Sequence, residues 1–135
     1  MNKLLLKIVS PDGEIFSGEA KSIIVTTING ELQILAGHAD LLAPLATGRA
    51  KITLPDGSSR SAAISGGFVL VSKEETKVVA TTFEFADEID INRANTAKQK
   101  SEEILKNAKE AKEIELAKAK LSRAIARINI ASEKL

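Results

Sequence analysis

The pattern of apolar and polar positions changes once along this chain of 135 residues. Before about residue 86, apolar residues form short runs rich in β-branched and aromatic side chains, as in residues 23–28 and 77–83. Such runs favour the pleated, half-buried surface of a β-sheet. From Asp87 onward apolar residues recur at steps of three and four, the period of an amphipathic helix. The pattern therefore predicts a β-rich part followed by a helical part.

Turn-forming residues support the same division. All eight glycines, all three prolines and all four phenylalanines lie at or before Phe85. Pro-Asp-Gly occurs at residues 11–13 and 55–57, where Pro presets φ and Gly supplies a positive φ. The second turn separates two apolar runs and predicts a β-hairpin. Short strands with turns at a spacing of about 8–12 residues predict an antiparallel β-sandwich, which we assign to residues 1–86.

Residues 87–135 are predicted to form an antiparallel two-helix hairpin. Asp90 is a favourable N-cap residue, and Ile89 before it can act as a hydrophobic staple. The apolar stripe is rich in alanine and loses bulk at residues 107–112, which suits a turn between helices. No Gly or Pro enforces a break there, so one long helix remains an alternative. If the two packings differ by only about a few kcal/mol, the tail meets the condition for a conformational switch.

A basic stripe follows the second half of this helical tail. Its four cations, spaced at steps of three, four and seven residues, are Lys120, Arg123, Arg127 and Lys134. Leu116 and Ile130 fall on or near this stripe, and we expect a simple hairpin to cover them poorly. A solvated helix face would explain the stripe. A docking surface for an acidic partner, with the two apolar residues as anchors, would explain the stripe and its apolar neighbours together.

The sequence lacks the residues that most catalytic sites need. There is no cysteine and only one histidine, His38, so thiol catalysis and histidine-pair metal sites are excluded. No Walker loop or Gly-x-Gly-x-x-Gly motif is present. The formal net charge of +1 indicates no strong attraction to nucleic acid. We therefore expect an interaction or regulatory module with no metal site, no required cofactor and no nucleic-acid partner, rather than an enzyme.

The apolar segments are too short for membrane insertion. No window approaches the roughly 20 apolar residues of a membrane span. The three leucines near the N-terminus are fewer than the roughly 7–15 apolar residues of a signal peptide. We expect a soluble protein that reaches a membrane only through a partner.

Six segments carry a family resemblance through their order and spacing: residues 8–11, 15–18, 30–42, 64–68, 89–94 and 121–127. Together they resemble the ε subunit of bacterial F-type ATP synthases over essentially the whole chain. The resemblance implies a non-catalytic central-stalk subunit, peripheral to the cytoplasmic face of the cell membrane, that couples the catalytic head to the c-ring. It also implies that the tail can extend into the head and inhibit ATP hydrolysis.

The resemblance assigns contact residues to both parts of the chain. Glu31, Gly37 and His38 match the region where the family's sandwich meets the γ subunit and the c-ring. In the extended tail, the basic stripe with Leu116 and Ile130 would meet the β and α subunits. Simpler explanations stay open, because Glu31 fits an exposed turn carboxylate, His38 a polar turn residue, and Gly37 a backbone requirement.

In some bacterial members the folded hairpin binds ATP, as a regulatory ligand rather than a required cofactor. The matching positions here are Glu84, Ile89, Asp90, Arg93, Ala94, Arg123 and Arg127. Three guanidiniums that converge only in the closed hairpin can hold a triphosphate, and ATP would then stabilise that form by mass action. Lys100 departs from the pattern, since strong binders have Arg there. The alternatives are that Asp90 is only a helix cap, or that the chain is a free-standing ATP sensor.

Overall fold

The computed structural model describes residues 3–132, so the predicted contact residue Lys134 lies outside the described residues. The strands are β1 (Leu4–Ser10), β2 (Gly13–Ala20), β3 (Ser22–Thr27), β4 (Gly30–Leu35), β5 (Leu41–Thr53), β6 (Ser59–Val71) and β7 (Thr76–Phe85). A 3-10 turn, Ala86–Glu88, leads to helices α1 (Ile91–Asn107) and α2 (Ala111–Ser132). The predicted sandwich with a following two-helix hairpin is confirmed.

The strands pair in the order β2-β1-β7-β6-β5-β3-β4. All neighbouring pairs in the described chain are antiparallel except β1 and β7, which are parallel. This parallel pair was not predicted, because it joins the first and the last strand of the sandwich, which lie far apart in the sequence. The predicted hairpin at residues 55–57 joins β5 to β6, and Asp56 accepts a hydrogen bond from the Ser58 amide at 2.9 Å.

The two longest strands bend where glycines allow it. Pairing of β5 with β6 is interrupted at residues 45–47 and 65–67, where Gly66 and Gly67 have φ values of 64° and 94°. A Cβ on Gly67 would lie 1.8 Å from the Val79 carbonyl oxygen, so only glycine fits. Before the two glycines, even-numbered residues of β6 such as Ile64 face the core. After them, odd-numbered residues such as Val69 face it. The bend lets one continuous sheet fold over itself into two layers.

The sandwich contains its own hydrophobic core. Seventeen buried residues form it, and all lie between Leu4 and Phe85. Its largest fully buried side chains include Leu6, Ile8, Ile23 and Ile34. Within residues 3–132, no residue of either helix belongs to this core, so every side chain that forms it comes from the sandwich.

The helices meet along small side chains. The buried residues are Ala94 and Ser101 on α1 and Ala117 and Ala124 on α2, as the alanine-rich stripe predicted. The larger side chains of Ile91, Ile104 and Ile125 are 39–42% exposed. Their exposure follows from the close approach that small residues at the seam permit, which leaves bulkier side chains at its margins.

Both ends of α1 agree with the sequence signals. Asp90 caps α1 by accepting hydrogen bonds from the amides of Asn92 and Arg93 at 3.0 and 3.1 Å. α1 ends at Asn107, where Ala108 adopts an extended backbone, within the stretch predicted to turn. The chain therefore forms a closed hairpin rather than one long helix.

The separate core of the sandwich leads to a first prediction. A chain that ends at Ala86 should fold, with cooperative thermal unfolding and a β-type circular dichroism spectrum, because it keeps every residue of the main core. The full-length chain is the control. A truncated chain without a cooperative transition would show that the sandwich needs the helices.

Candidate functional site

The end of α2 rests on the sandwich through a small apolar contact. Ile130 and Ala131 on α2 pack against Ala63 of β6 and Ile89, which follows the 3-10 turn. Ile130 is only 2% exposed, so the expectation that it would be poorly covered is wrong for this conformation. The prediction treated the helices as an isolated hairpin, whereas the sandwich covers this residue. Leu116, near the other end of α2, is 57% exposed, as expected.

An ion pair adjoins this contact. Arg127 on α2 donates a hydrogen bond from Nε to Glu84 Oε1 at 2.9 Å, joining the tail to β7. The two side chains are 31% and 37% exposed, so solvent partly screens their attraction. Glu84 is accessible to α2 because it alternates with the inward-facing Phe83 and Phe85 along β7.

A cleft of about 410 Å³ opens beside the ion pair, at the junction of β7, α1 and α2. Its walls are Glu84, Glu88, Asp90, Arg93, Ala94, Ala97 and Arg127. We call it the linker cleft, because residues 86–90, the linker, run along it. Three carboxylates therefore face two guanidiniums, and one of each is already paired. The cleft requires the closed tail, because β7, the linker, α1 and α2 all supply its walls.

The structure brings together most of the residues assigned to nucleotide binding. Glu84, Asp90, Arg93, Ala94 and Arg127 line the linker cleft. Ile89 is buried in the apolar contact beneath α2. Arg123, one turn before Arg127, is half-buried and is not among the residues that line the cleft. Sequence reasoning missed Glu88, since its place in a short turn carried no helical or strand signal.

Lys100 lies away from the linker cleft. It lines a shallower depression near the turn of the hairpin, together with Glu103, Ile104, Asn107 and Glu113. Two further turns of α1 separate it from Arg93, which explains why the two cations do not meet.

The residues matched to rotor contacts lie at opposite ends of β4. Glu31 is the second residue of this strand and accepts two hydrogen bonds from the Arg49 guanidinium, at 2.5 and 3.1 Å. Gly37, with a φ of 82°, and His38 form the turn after the strand. His38 lines a cleft of about 560 Å³ with Lys3 and the β6–β7 loop. The structure therefore does not bring Glu31 and His38 together.

The remaining tail positions are solvent-accessible or already paired. Lys120 is exposed, and no ion pair is seen for it among residues 3–132. Within these residues no three His, Asp or Glu side chains are placed to hold a metal ion. Neither helix of the described chain is long and apolar enough to cross a membrane.

The pairing of Glu31 with Arg49 leads to a pH prediction. The hydrogen bonds from Arg49 lower the pKa of Glu31 from its usual value of 4.5, against an opposing effect of desolvation. The pair therefore stabilises the fold fully above that usual value and loses its contribution as pH falls through the lowered pKa. In an NMR titration, Arg49→Gln should raise the pKa of Glu31, while the control Lys3→Gln should leave it unchanged. An unchanged pKa of Glu31 in Arg49→Gln would contradict the conclusion that Arg49 lowers it.

Comparisons with known proteins agree with this architecture. Residues 3–86 match the β-sandwich domain of the ATP synthase delta/epsilon chain, and residues 87–132 match its long α-helix domain. The ATP synthase epsilon chain of Bacillus pumilus is 37% identical over 133 residues, covering 98% of this chain and 100% of the relative. That of Ruminococcus albus is 40% identical over 130 residues, covering 96% of each.

Solved structures share the fold. A chain of the Euglena gracilis mitochondrial ATP synthase, in a structure of OSCP, F1 and c-ring, superposes with a TM-score of 0.84 at 22% identity. The match covers 98% of this chain and 82% of that one. A chain of the Tetrahymena thermophila central stalk and c-ring gives 0.63 at 17% identity, covering 98% and 96%. With full-length bacterial relatives at 37–40% identity and both domain models matched in order, the chain belongs to the ATP synthase epsilon chain family.

Proposed function

We propose that this chain is a non-catalytic subunit of the ATP synthase central stalk, peripheral to the cytoplasmic face of the cell membrane. Its sandwich docks to the γ subunit and the c-ring and couples the catalytic head to the ring. Its tail inhibits ATP hydrolysis when it extends toward the β and α subunits. Family membership supports the assembly, and the linker cleft, which requires the closed tail, supports the regulation.

An exposed apolar patch supports docking through the sandwich. Leu42 pairs with Leu70, and Pro44 pairs with Phe68, across the β5–β6 ladder. Leu42 is 65% exposed, and Leu70 and Phe68 are each 41% exposed. Four adjacent apolar side chains on a solvent face favour a protein interface. The patch lies beyond the Gly66–Gly67 step from Ala63, so partner docking and tail docking use different halves of β6.

The separation of Glu31 from His38 constrains how partners are arranged. Ile28, 66% exposed in the β3–β4 turn, lies near the Glu31 end. The six residues of β4 separate this end from Gly37 and His38 by roughly 20 Å. Two partners that meet opposite ends of β4 satisfy this geometry, as γ and the c-ring would.

The linker cleft is our candidate for ATP. Arg93 and Arg127 supply cations for the phosphates, while the carboxylates of Asp90 and Glu88 can accept hydrogen bonds from a ribose or a base amine. Because Arg127 is paired with Glu84, a triphosphate must compete with a carboxylate for the same guanidinium. Arg123 does not line the cleft in this structure. ATP bound here would hold the tail closed, since the extended tail has no such cleft.

Calorimetric titration of the isolated chain with ATP tests this site. We expect binding that Arg127→Ala weakens at least about tenfold, because a hydrogen bond to a charged phosphate is lost. Lys118→Ala is the control: it removes an exposed cation of α2 that does not line the cleft. Equal binding by Arg127→Ala and the unsubstituted chain, or no binding at millimolar ATP, would remove ATP from the proposal.

The inhibitory role is tested in the assembled ATP synthase. Lys120→Glu should raise ATP hydrolysis roughly two- to fivefold, because it reverses an exposed charge of the basic stripe without touching the linker cleft. Lys118→Glu is matched in charge but lies on the opposite face of α2. The chain that ends at Ala86 should release the inhibition of ATP hydrolysis most fully. Equal hydrolysis rates with full-length and truncated chains would show that the tail does not inhibit.

A further inference from the structure

The start of β6 contacts the linker through one arginine. Ala62 and Phe85 form the last paired position of β6 and β7, so Arg60 would face Asp87 if the ladder continued. The backbone instead turns into the 3-10 helix, and the side chains meet: Arg60 Nη2 lies 3.5 Å from Asp87 Oδ1. The Arg60 guanidinium also stacks over the Phe85 ring, with Cζ 3.6 Å from the centroid.

Phe85 gives this arginine a rigid support. The ring is 4% exposed, belongs to the sandwich core, and meets Phe83 edge-to-face at 5.2 Å between centroids. A cation over an aromatic face is attracted by the ring quadrupole. Arg60 therefore connects a fixed point of the core to the first turn of the linker.

Beyond Arg60, the linker is held by the packing of Ala86 and Ile89 in the apolar contact beneath α2 and by the Asp90 cap of α1. The 3-10 turn has no side-chain cap, and it is closed by a hydrogen bond of 3.3 Å from the Ile89 amide to the Ala86 carbonyl. Yet Glu84, Glu88 and Asp90, the three carboxylates of the linker cleft, lie just before, within and just after this turn. Their relative positions depend on how the turn is held.

We propose that Arg60 is a positioning residue that fixes the linker and thereby the carboxylates of the linker cleft. Arg60, Phe85 and Asp87 all precede Glu88 in the chain and belong to neither helix. Their contact therefore persists when α2 leaves the sandwich, and it confines the pivot of the tail to residues 88–90. The part of this proposal that concerns a ligand site rests on the function proposed above. The part that concerns how Arg60 holds the linker does not.

Hydrogen exchange of the full-length chain, followed by NMR or mass spectrometry, tests the effect on the linker. Arg60→Ala should speed exchange of the Ile89 and Ala94 amides roughly five- to tenfold, since it removes an ion pair and a stacked cation. Exchange of amides in β3 and β5 should not change. Arg60→Lys, which keeps the charge, should restore most of the protection, and Asp87→Asn should have an intermediate effect.

The control is Lys7→Ala, which removes a comparably exposed ion pair with Glu14 on β1 and β2, away from the linker. Linker exchange in Arg60→Ala equal to that in the unsubstituted chain would overturn the proposal. So would a parallel acceleration in the linker and in β3 and β5, because Arg60 would then stabilise the sandwich in general.

ATP titration of the same variants tests the effect on the site. Arg60→Ala should weaken ATP binding about fivefold, and Arg60→Lys should bind nearly as the unsubstituted chain does. Unchanged affinity in Arg60→Ala would overturn the positioning of the site. If the unsubstituted chain binds no ATP, the proposed nucleotide role fails by itself, and hydrogen exchange still decides whether Arg60 fixes the linker.

Discussion

The small size of the side chains between α1 and α2 is the constraint on which the rest of this structure depends. Burying a methylene-sized group contributes about 0.8 kcal/mol, whereas burying a whole leucine or isoleucine contributes about 1.5–3 kcal/mol. A seam of Ala94, Ala117 and Ala124 therefore stabilises the hairpin only weakly. The apolar contact between the hairpin and the sandwich involves Ile130 and Ala131 of α2. A contact this small is what the proposed extension of the tail requires.

One guanidinium connects the states that we propose for the tail. Arg127 pairs with Glu84 in the closed form, lines the linker cleft, and belongs to the basic stripe that an extended tail would present. Arg127 cannot pair with a carboxylate of the sandwich and with an acidic partner at the same time. Competition for this side chain couples closure to release. Because the pair is about one-third exposed, the competition involves modest energies and suits a reversible change.

The sandwich is built so that this change does not disturb it. Its core lies wholly before the linker, and the bend at Gly66 and Gly67 separates the half of β6 that carries the tail from the half that carries the apolar patch. A partner can therefore stay bound to the patch while the tail moves. This arrangement fits the subunit that we propose, anchored in an assembly at one surface and regulatory at another.

The sequence by itself determined the β-to-α division, the turn at residues 55–57, the Asp90 cap and the alanine seam, because each depends on local periodicity or backbone preference. Family resemblance located most residues of the linker cleft. The burial of Ile130, the Glu84–Arg127 pair, the parallel β1–β7 pair and the distance between Glu31 and His38 were decided only by tertiary structure. Each joins residues far apart in the chain or depends on a strand's length, and periodicity describes only which face of one element a residue occupies, not what covers that face.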